Sequence, residues 1–158
     1  MFHMNDTICY GTEGVCVIAD VKELAFSGVT EPYYVLRPVH QQSATLFVPL
    51  GNEALLAKMR RLPTRQEILQ AVRAVPEAVD WSRAETERKA RYRAALTGGS
   101  RRELIRLVKA LYLRRRTAKL HIADERFLKE AERILCDEFS YVLDLEPEQA
   151  LSVLQGSD

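Results

Sequence analysis

The sequence predicts an α+β protein, a small antiparallel β domain followed by an all-α helical bundle, and three observations carry that reading. Up to Pro49 the apolar residues come in short β-branched and aromatic runs separated by turn residues, which is how short strands read. Beyond Gly51-Asn52 they recur at helical spacing, behind Ser/Thr-x-x-Glu starts. Charge divides along the same chain: residues 1–75 hold seven basic and seven acidic side chains, residues 76–120 thirteen and five (net +8), and residues 121–158 three and ten (net −7).

The strand candidates are Ile8-Cys9-Tyr10, Val15-Cys16-Val17-Ile18, Tyr33-Tyr34-Val35-Leu36 and Leu46-Phe47-Val48. Turn signals fall at Gly11 to Gly14, Ser27-Gly28 to Pro32, and His40 to Ser43. Four or five short strands in under 60 residues predict a curled sheet of the SH3 or Tudor kind, too small to enclose a substrate pocket. Thr64-Arg65-Gln66-Glu67 then reads as a capping box ahead of Ile68, Leu69, Val72 and Val75, and Pro76 ends that helix. Ser82-Arg83-Ala84-Glu85 opens a second helix, which stops at Gly98-Gly99. Ser100-Arg101-Arg102-Glu103 starts a third, with Leu104, Leu107, Val108, Leu111 and Tyr112 on one face. A fourth runs from about Asp124 to Leu143 with Phe127, Leu128, Ala131, Ile134, Leu135, Phe139 and Val142 inward, and Pro147 suits the first turn of a last short helix ending near Leu154. The joint between the two halves is expected between Gly51 and Thr64.

The chain has 158 residues, 47% hydrophobic and 28% charged, an ordinary globular composition compatible with one domain or two small ones. A domain of roughly 60 to 80 residues buries only about 60% of its unfolded surface, so two such halves favour an adaptor that leans on partners. No apolar run approaches the ~20 residues of a membrane span, and the N-terminus has no signal-peptide pattern; the expected location is cytoplasmic, with no membrane partner. Cys9, Cys16 and Cys136 form no zinc or redox spacing and read as small buried hydrophobes. His3, His40 and His121 are isolated, and no phosphate-binding glycine motif is present. The adjacent carboxylates Asp124-Glu125 and Asp137-Glu138 point in different directions on a helix and read as a solvated face. These absences leave no catalytic residue, metal site, cofactor or small-molecule substrate to propose.

The basic block is the informative feature. Arg83, Arg88, Lys89, Arg91 and Arg93 crowd one helix, Arg101, Arg102, Arg106 and Lys109 the next, and Arg114-Arg115-Arg116 with Lys119 its exit. Cations at this density can neutralise phosphates and release counterions; the alternative is a solvated face paired with the acidic final helix. Trp81, the only tryptophan, stands in Asp80-Trp81-Ser82. It reads either as a hydrophobic-staple or core residue or as an apolar wedge against distorted DNA.

In order and spacing, Tyr10-Gly11, Gly14 to Ile18, Gly28, Tyr33 to Leu36, Phe47-Val48-Pro49, Asn52 and Met59-Arg60 resemble the N-terminal module of CarD-like bacterial transcription regulators, which is similar to the polymerase-interacting domain of the transcription-repair coupling factor. Asp80-Trp81-Ser82, Arg91-Tyr92, Leu96 with Gly98, Glu103-Leu104, Leu107 to Leu111, and Ala131 to Glu138 resemble the same family's C-terminal domain. The resemblance implies a Tudor-like RNA polymerase-interacting domain over residues 1–60 and a helical DNA-binding domain over residues 61–158. It implies docking on the polymerase β subunit by strand addition, through Leu24, Arg37 and Phe47, and contact with promoter DNA at the upstream edge of the melted bubble. Trp81 would enter the minor groove, and the protein would sit on the nucleoid through polymerase; the charge of the basic block itself points to Arg83, Arg88, Lys89, Arg91, Arg93, Arg101 and Arg102 as the DNA-binding cations. Two departures matter: Leu24 and Phe47 stand where better-known members carry arginines, which makes the docking contact more apolar, and about seven extra residues, Arg83 to Lys89, separate Trp81 from Arg91-Tyr92. The other reading is an adaptor of the transcription machinery whose basic helices bind RNA or an acidic partner.

Overall fold

The structure is a computed structural model that describes residues 2–26, 28–41, 43–97 and 100–156; the expected turn residues Ser27 and Gln42 and the Gly98-Gly99 helix stop lie outside the described residues. The family of elements is α+β, and the chain divides into two compact units, residues 1–62 and 63–158.

The first unit is a five-stranded antiparallel sheet in the order β4-β3-β2-β1-β5, with β1 Thr7–Tyr10, β2 Val15–Phe26, β3 Val29–Pro38, β4 Leu46–Pro49 and β5 Met59–Arg61, and a short helix α1 Glu53–Leu56 before β5. Gly11 and Gly14 turn β1 into β2 with φ of 51° and 88°, values that side-chain-bearing residues rarely adopt. One face carries the core of this unit, built from Ile8, Tyr10, Cys16, Ile18, Tyr34, Leu36, Val48 and Met59. The strands of the central hairpin are longer than the apolar runs suggest: residues 19–26, outside those runs, and residues 29–32, read as part of a turn, belong to the ladder that continues from Asp20↔Val35 to Phe26↔Val29. Pro32 is tolerated there because its carbonyl accepts from Leu50 N–H at 3.0 Å. The N–H it lacks would face the same side, where β4 has just ended at the Tyr33↔Pro49 pair.

A register shift between Ile18 and Asp20 decides what this sheet shows to the outside. Before it, the even-numbered Cys16 and Ile18 face the core; after it, Val21 pairs with core-facing Tyr34, so the odd positions face inward. One extra residue thus turns Lys22, Leu24 and Phe26 to the outer face, in register with Tyr33, Glu31 and Val29.

The second unit contains α2 Arg65–Arg73, α3 Glu85–Thr97, α4 Arg101–Thr117, α5 Ile122–Leu143 and α6 Pro147–Gln155. Its core joins Ile68 and Val72 of α2, Tyr92 of α3, Leu104, Leu107, Val108 and Leu111 of α4, Phe127 to Phe139 of α5, and Ala150 and Leu154 of α6. Thr64 caps α2 as its sequence predicts: its hydroxyl accepts from Glu67 N–H at 3.1 Å while Glu67 Oε1 accepts from Thr64 N–H at 3.2 Å, an arrangement worth about 1 kcal/mol. Ser100 likewise accepts from Glu103 N–H. Two local expectations are corrected. The helix of Thr64 ends at Arg73, so Val75 is 75% exposed and Ala71 takes a place on the buried stripe; Pro76 disfavours helical backbone in the residue before it. Ser82 caps nothing, because its N–H and hydroxyl both donate to Asp80 Oδ1, at 3.0 and 2.5 Å, and α3 starts only at Glu85.

Candidate functional site

The outer face of the sheet carries the residues singled out for polymerase contact. Cross-strand pairing of Val17 with Arg37, of Asp20 with Val35 and Phe47, and of Leu24 with Glu31 sets Leu24, Arg37 and Phe47 on this same face, opposite the core. Phe26 and Phe47 are 46% and 44% exposed and Val29 62%. Phe26 meets Tyr33 edge-on at 5.2 Å and Phe47 at 5.4 Å. A flat ribbon would hold Phe26 and Phe47 about six residues apart along the strand, roughly 20 Å, so the ring contact measures how strongly the hairpin curls. The result is an aromatic patch with Tyr33 and Val35 buried beneath it, flanked by the exposed Arg37. Phe26 was missed by sequence reasoning, because its place on this face depends on the register shift. The distal hairpin also leaves backbone edges open: β1 pairs with β2 only as far as Thr7↔Val17, so among the described residues Val21 to Phe26 have β3 as their one partner strand.

In the helical unit the basic block splits by direction. Arg88 is 7% exposed; its Nε donates to Asp124 Oδ1 at 3.2 Å and its Nη1 to the carbonyl of Arg83 at 2.7 Å. Tyr92 donates to the same Asp124 oxygen at 2.5 Å and stacks on Phe127 at 4.1 Å. Burial, and then Asp124, push the Tyr92 hydroxyl far above the usual phenol range. Arg101 donates from Nε to both oxygens of Glu138, at 2.7 and 2.8 Å, and Glu138 is fully buried. Asp124 and Glu138 therefore do not lie on a solvated face; each is an interior anion that receives one arginine from the basic block. The signal was in the spacing: Asp124, Leu128, Ala131, Leu135 and Glu138 recur at i, i+4, i+7, i+11 and i+14, which sets both carboxylates on the apolar stripe of α5. Both guanidinium groups are buried, that of Arg88 on Asp124 and that of Arg101 with its Nε on Glu138 and its two Nη atoms enclosed, so these two leave the candidate DNA surface.

The others face outward. Arg83 pairs with Asp80 and Glu87, Lys89 with Glu85 at 3.6 Å, and Arg91 with Glu77, all with exposed cations. Such surface pairs are worth little against a phosphate partner. Arg93, Arg102, Arg116 and Lys119 are exposed and hold no ion pair among the described residues. Arg106 and Lys109 turn back to the carbonyls of Val75 and Val72, closing the end of α2.

Trp81 sits at the tip of the turn that Asp80 closes, where Arg83 N–H also donates to the Asp80 carbonyl at 3.3 Å. The Ser82 hydroxyl, then its N–H, hold the Asp80 carboxyl below its usual range, with Arg83 adding to them. Arg88, grasping the Arg83 carbonyl, ties this turn to the interior, so the inserted residues brace the tryptophan loop. The indole is half-buried against the helical core, and the Arg114 guanidinium lies over its ring, 5.3 Å from the centroid. Among the described residues no group of His, Cys, Asp and Glu is arranged to hold a metal ion, and no helix is long and apolar enough to cross a membrane.

Comparison with known families accounts for both units. Residues 2–62 match the CarD-like/TRCF RID domain and residues 67–155 the CarD C-terminal domain. No curated protein matches the chain. Both matches are to non-catalytic interaction domains that span nearly the whole sequence. The chain belongs to the CarD-like family, whose members are regulators that interact with the transcription machinery.

Proposed function

We propose that the sheet unit docks on the RNA polymerase β subunit through the face of Leu24, Phe26, Arg37 and Phe47, while the helical unit contacts promoter DNA at the upstream edge of the melted bubble and lengthens the life of the open complex. The aromatic patch supplies the kind of anchor on which interfaces concentrate their binding energy, and the open hairpin edge can accept a strand of the partner's sheet. Trp81 is the wedge presented to the minor groove, and Arg83, Lys89, Arg91, Arg93 and Arg102 are the cations for phosphate. A contact made only on opened DNA shifts the closed-to-open equilibrium by its differential affinity. Each 1.4 kcal/mol of that difference is about tenfold in the equilibrium.

The observation that carries this reading is the presentation of Trp81: half-buried at a braced turn tip, with the Arg114 guanidinium over its ring and no place in the centre of the core. The test measures how long polymerase stays on a promoter fragment after a competitor is added. Full-length protein lengthens that lifetime and Trp81→Ala removes most of the gain without loss of helical circular dichroism. Equal lifetimes with and without the wild-type protein overturn the proposal.

A further inference from the structure

We infer that Arg114 is a positioning residue for Trp81, holding the indole in the orientation in which it meets DNA and carrying the cation that neutralises the phosphate beside the inserted ring. The inference rests on the reading of Trp81 as a DNA contact. It begins from how little else aims the ring: the Asp80 turn and Arg88 fix the backbone of the loop, but the direction of the indole is set by its packing on the helical core and by the guanidinium above it. Arg114 arrives from a different element, the last turn of α4, 33 residues further on. Its backbone is anchored, since Leu107, Val108 and Leu111 bury that helix in the core and Ala118 N–H closes on the Arg114 carbonyl.

A guanidinium drawn to a ring by its charge spends no N–H donor on an oxygen acceptor. Among the described residues no carboxylate, carbonyl or hydroxyl accepts from the Arg114 side chain. The cation thus lies over the ring it orients, and its N–H donors, with no acceptor among the described residues, suit an outside acceptor of the bidentate kind, such as a phosphate. Arg115 makes the contrast. It lies over Tyr112 at 5.2 Å, whose hydroxyl donates to Glu132 at 2.6 Å, so this arginine already belongs to a cluster with its own anion.

Two measurements on the full chain test the inference. Trp81 is the only tryptophan, so acrylamide quenching of its fluorescence reports directly on the ring. Arg114→Ala should raise the quenching constant about twofold and Arg115→Ala leave it unchanged; equal quenching in wild type and Arg114→Ala overturns the inference. In the open-complex assay, Arg114→Ala should shorten the lifetime about threefold to tenfold, the range expected for a partly desolvated cation–π contact. Arg114→Lys, which keeps the charge but loses the plane and the paired donors, should recover less than half of that. Added to Trp81→Ala, Arg114→Ala should cost little more, because the two act as one unit. Full additivity, or a longer lifetime in Arg114→Ala, as a cover over the ring would give, overturns it. If Trp81→Ala itself has no effect, the DNA reading of the loop falls and this inference with it; if Trp81→Ala acts and Arg114→Ala does not, only this inference falls.

Discussion

The two units depart from the oil-drop pattern in opposite senses. The sheet unit spends aromatic residues on its surface, with Phe26 and Phe47 nearly half exposed above a layer of Tyr33 and Val35. The helical unit buries charge inside its apolar core, as Arg88 with Asp124 and Arg101 with Glu138. Exposed rings cost the fold little and are available to a partner. Buried ion pairs are costly to desolvate and costlier still to break. Function in the first unit is therefore written in what was left outside, while in the second the interior pairs decide which arginines remain for a ligand.

The largest effect that could break this contrast is at Asp124, which accepts from Arg88, Tyr92 and the His121 backbone N–H. Asp124→Ala leaves a cation and a hydroxyl stranded in the interior and should cost about 3–5 kcal/mol, read from urea unfolding of the helical ellipticity. Glu125→Ala, one residue along and exposed, should change stability by under ~0.5 kcal/mol. Similar losses at both positions would mean that Asp124 is no interior anion. Next in size is Tyr92→Phe, which removes one hydrogen bond to a charged group, about 1.5–3 kcal/mol. Its pH dependence has a definite sign. The folded Tyr92 hydroxyl titrates far above the unfolded one, so its contribution is complete below about pH 10 and is lost as the pH rises beyond that. Wild-type stability should fall in alkali more steeply than that of Tyr92→Phe. Part of the fall should survive in the variant, because burial and Glu132 also push the Tyr112 hydroxyl upward.

The same contrast explains what could be read from the chain. Elements whose cause is local were legible: the Thr64 and Ser100 caps, the apolar run Tyr33 to Leu36, and the stripe from Phe127 to Phe139 all depend on residues within a turn or a strand pair. Where a local rule failed, a neighbour had competed for the same group, as Asp80 did for Ser82. The distal half of β2 lies outside the strand candidates because its residues show no clear alternation until the register shift at Ala19 is known. β5 is three residues long, two of them arginines, and exists only as a partner for β1. In the site, Leu24, Arg37 and Phe47 were picked on a resemblance and share one face. Arg88 and Arg101 were picked on charge alone, which cannot show that the counterion lies 36 or 37 residues away on the buried side of another helix.

The smallest expected change in stability belongs to the residue expected to matter most for docking. Phe47→Ala removes a half-exposed ring and one edge contact with Phe26, so it should cost at most ~1 kcal/mol. Capture of purified polymerase β subunit by the full-length protein should nevertheless fall more than tenfold, because an aromatic anchor at the centre of an interface commonly contributes ~2 kcal/mol or more. Val21→Ala is the matched control, an apolar residue 40% exposed on the opposite face of the same sheet. If Val21→Ala weakens capture as much as Phe47→Ala, the outer face is not the docking surface. If Phe47→Ala instead unfolds the sheet, the aromatic patch is a second core, and the distinction between a unit that displays its rings and one that hides its charges disappears.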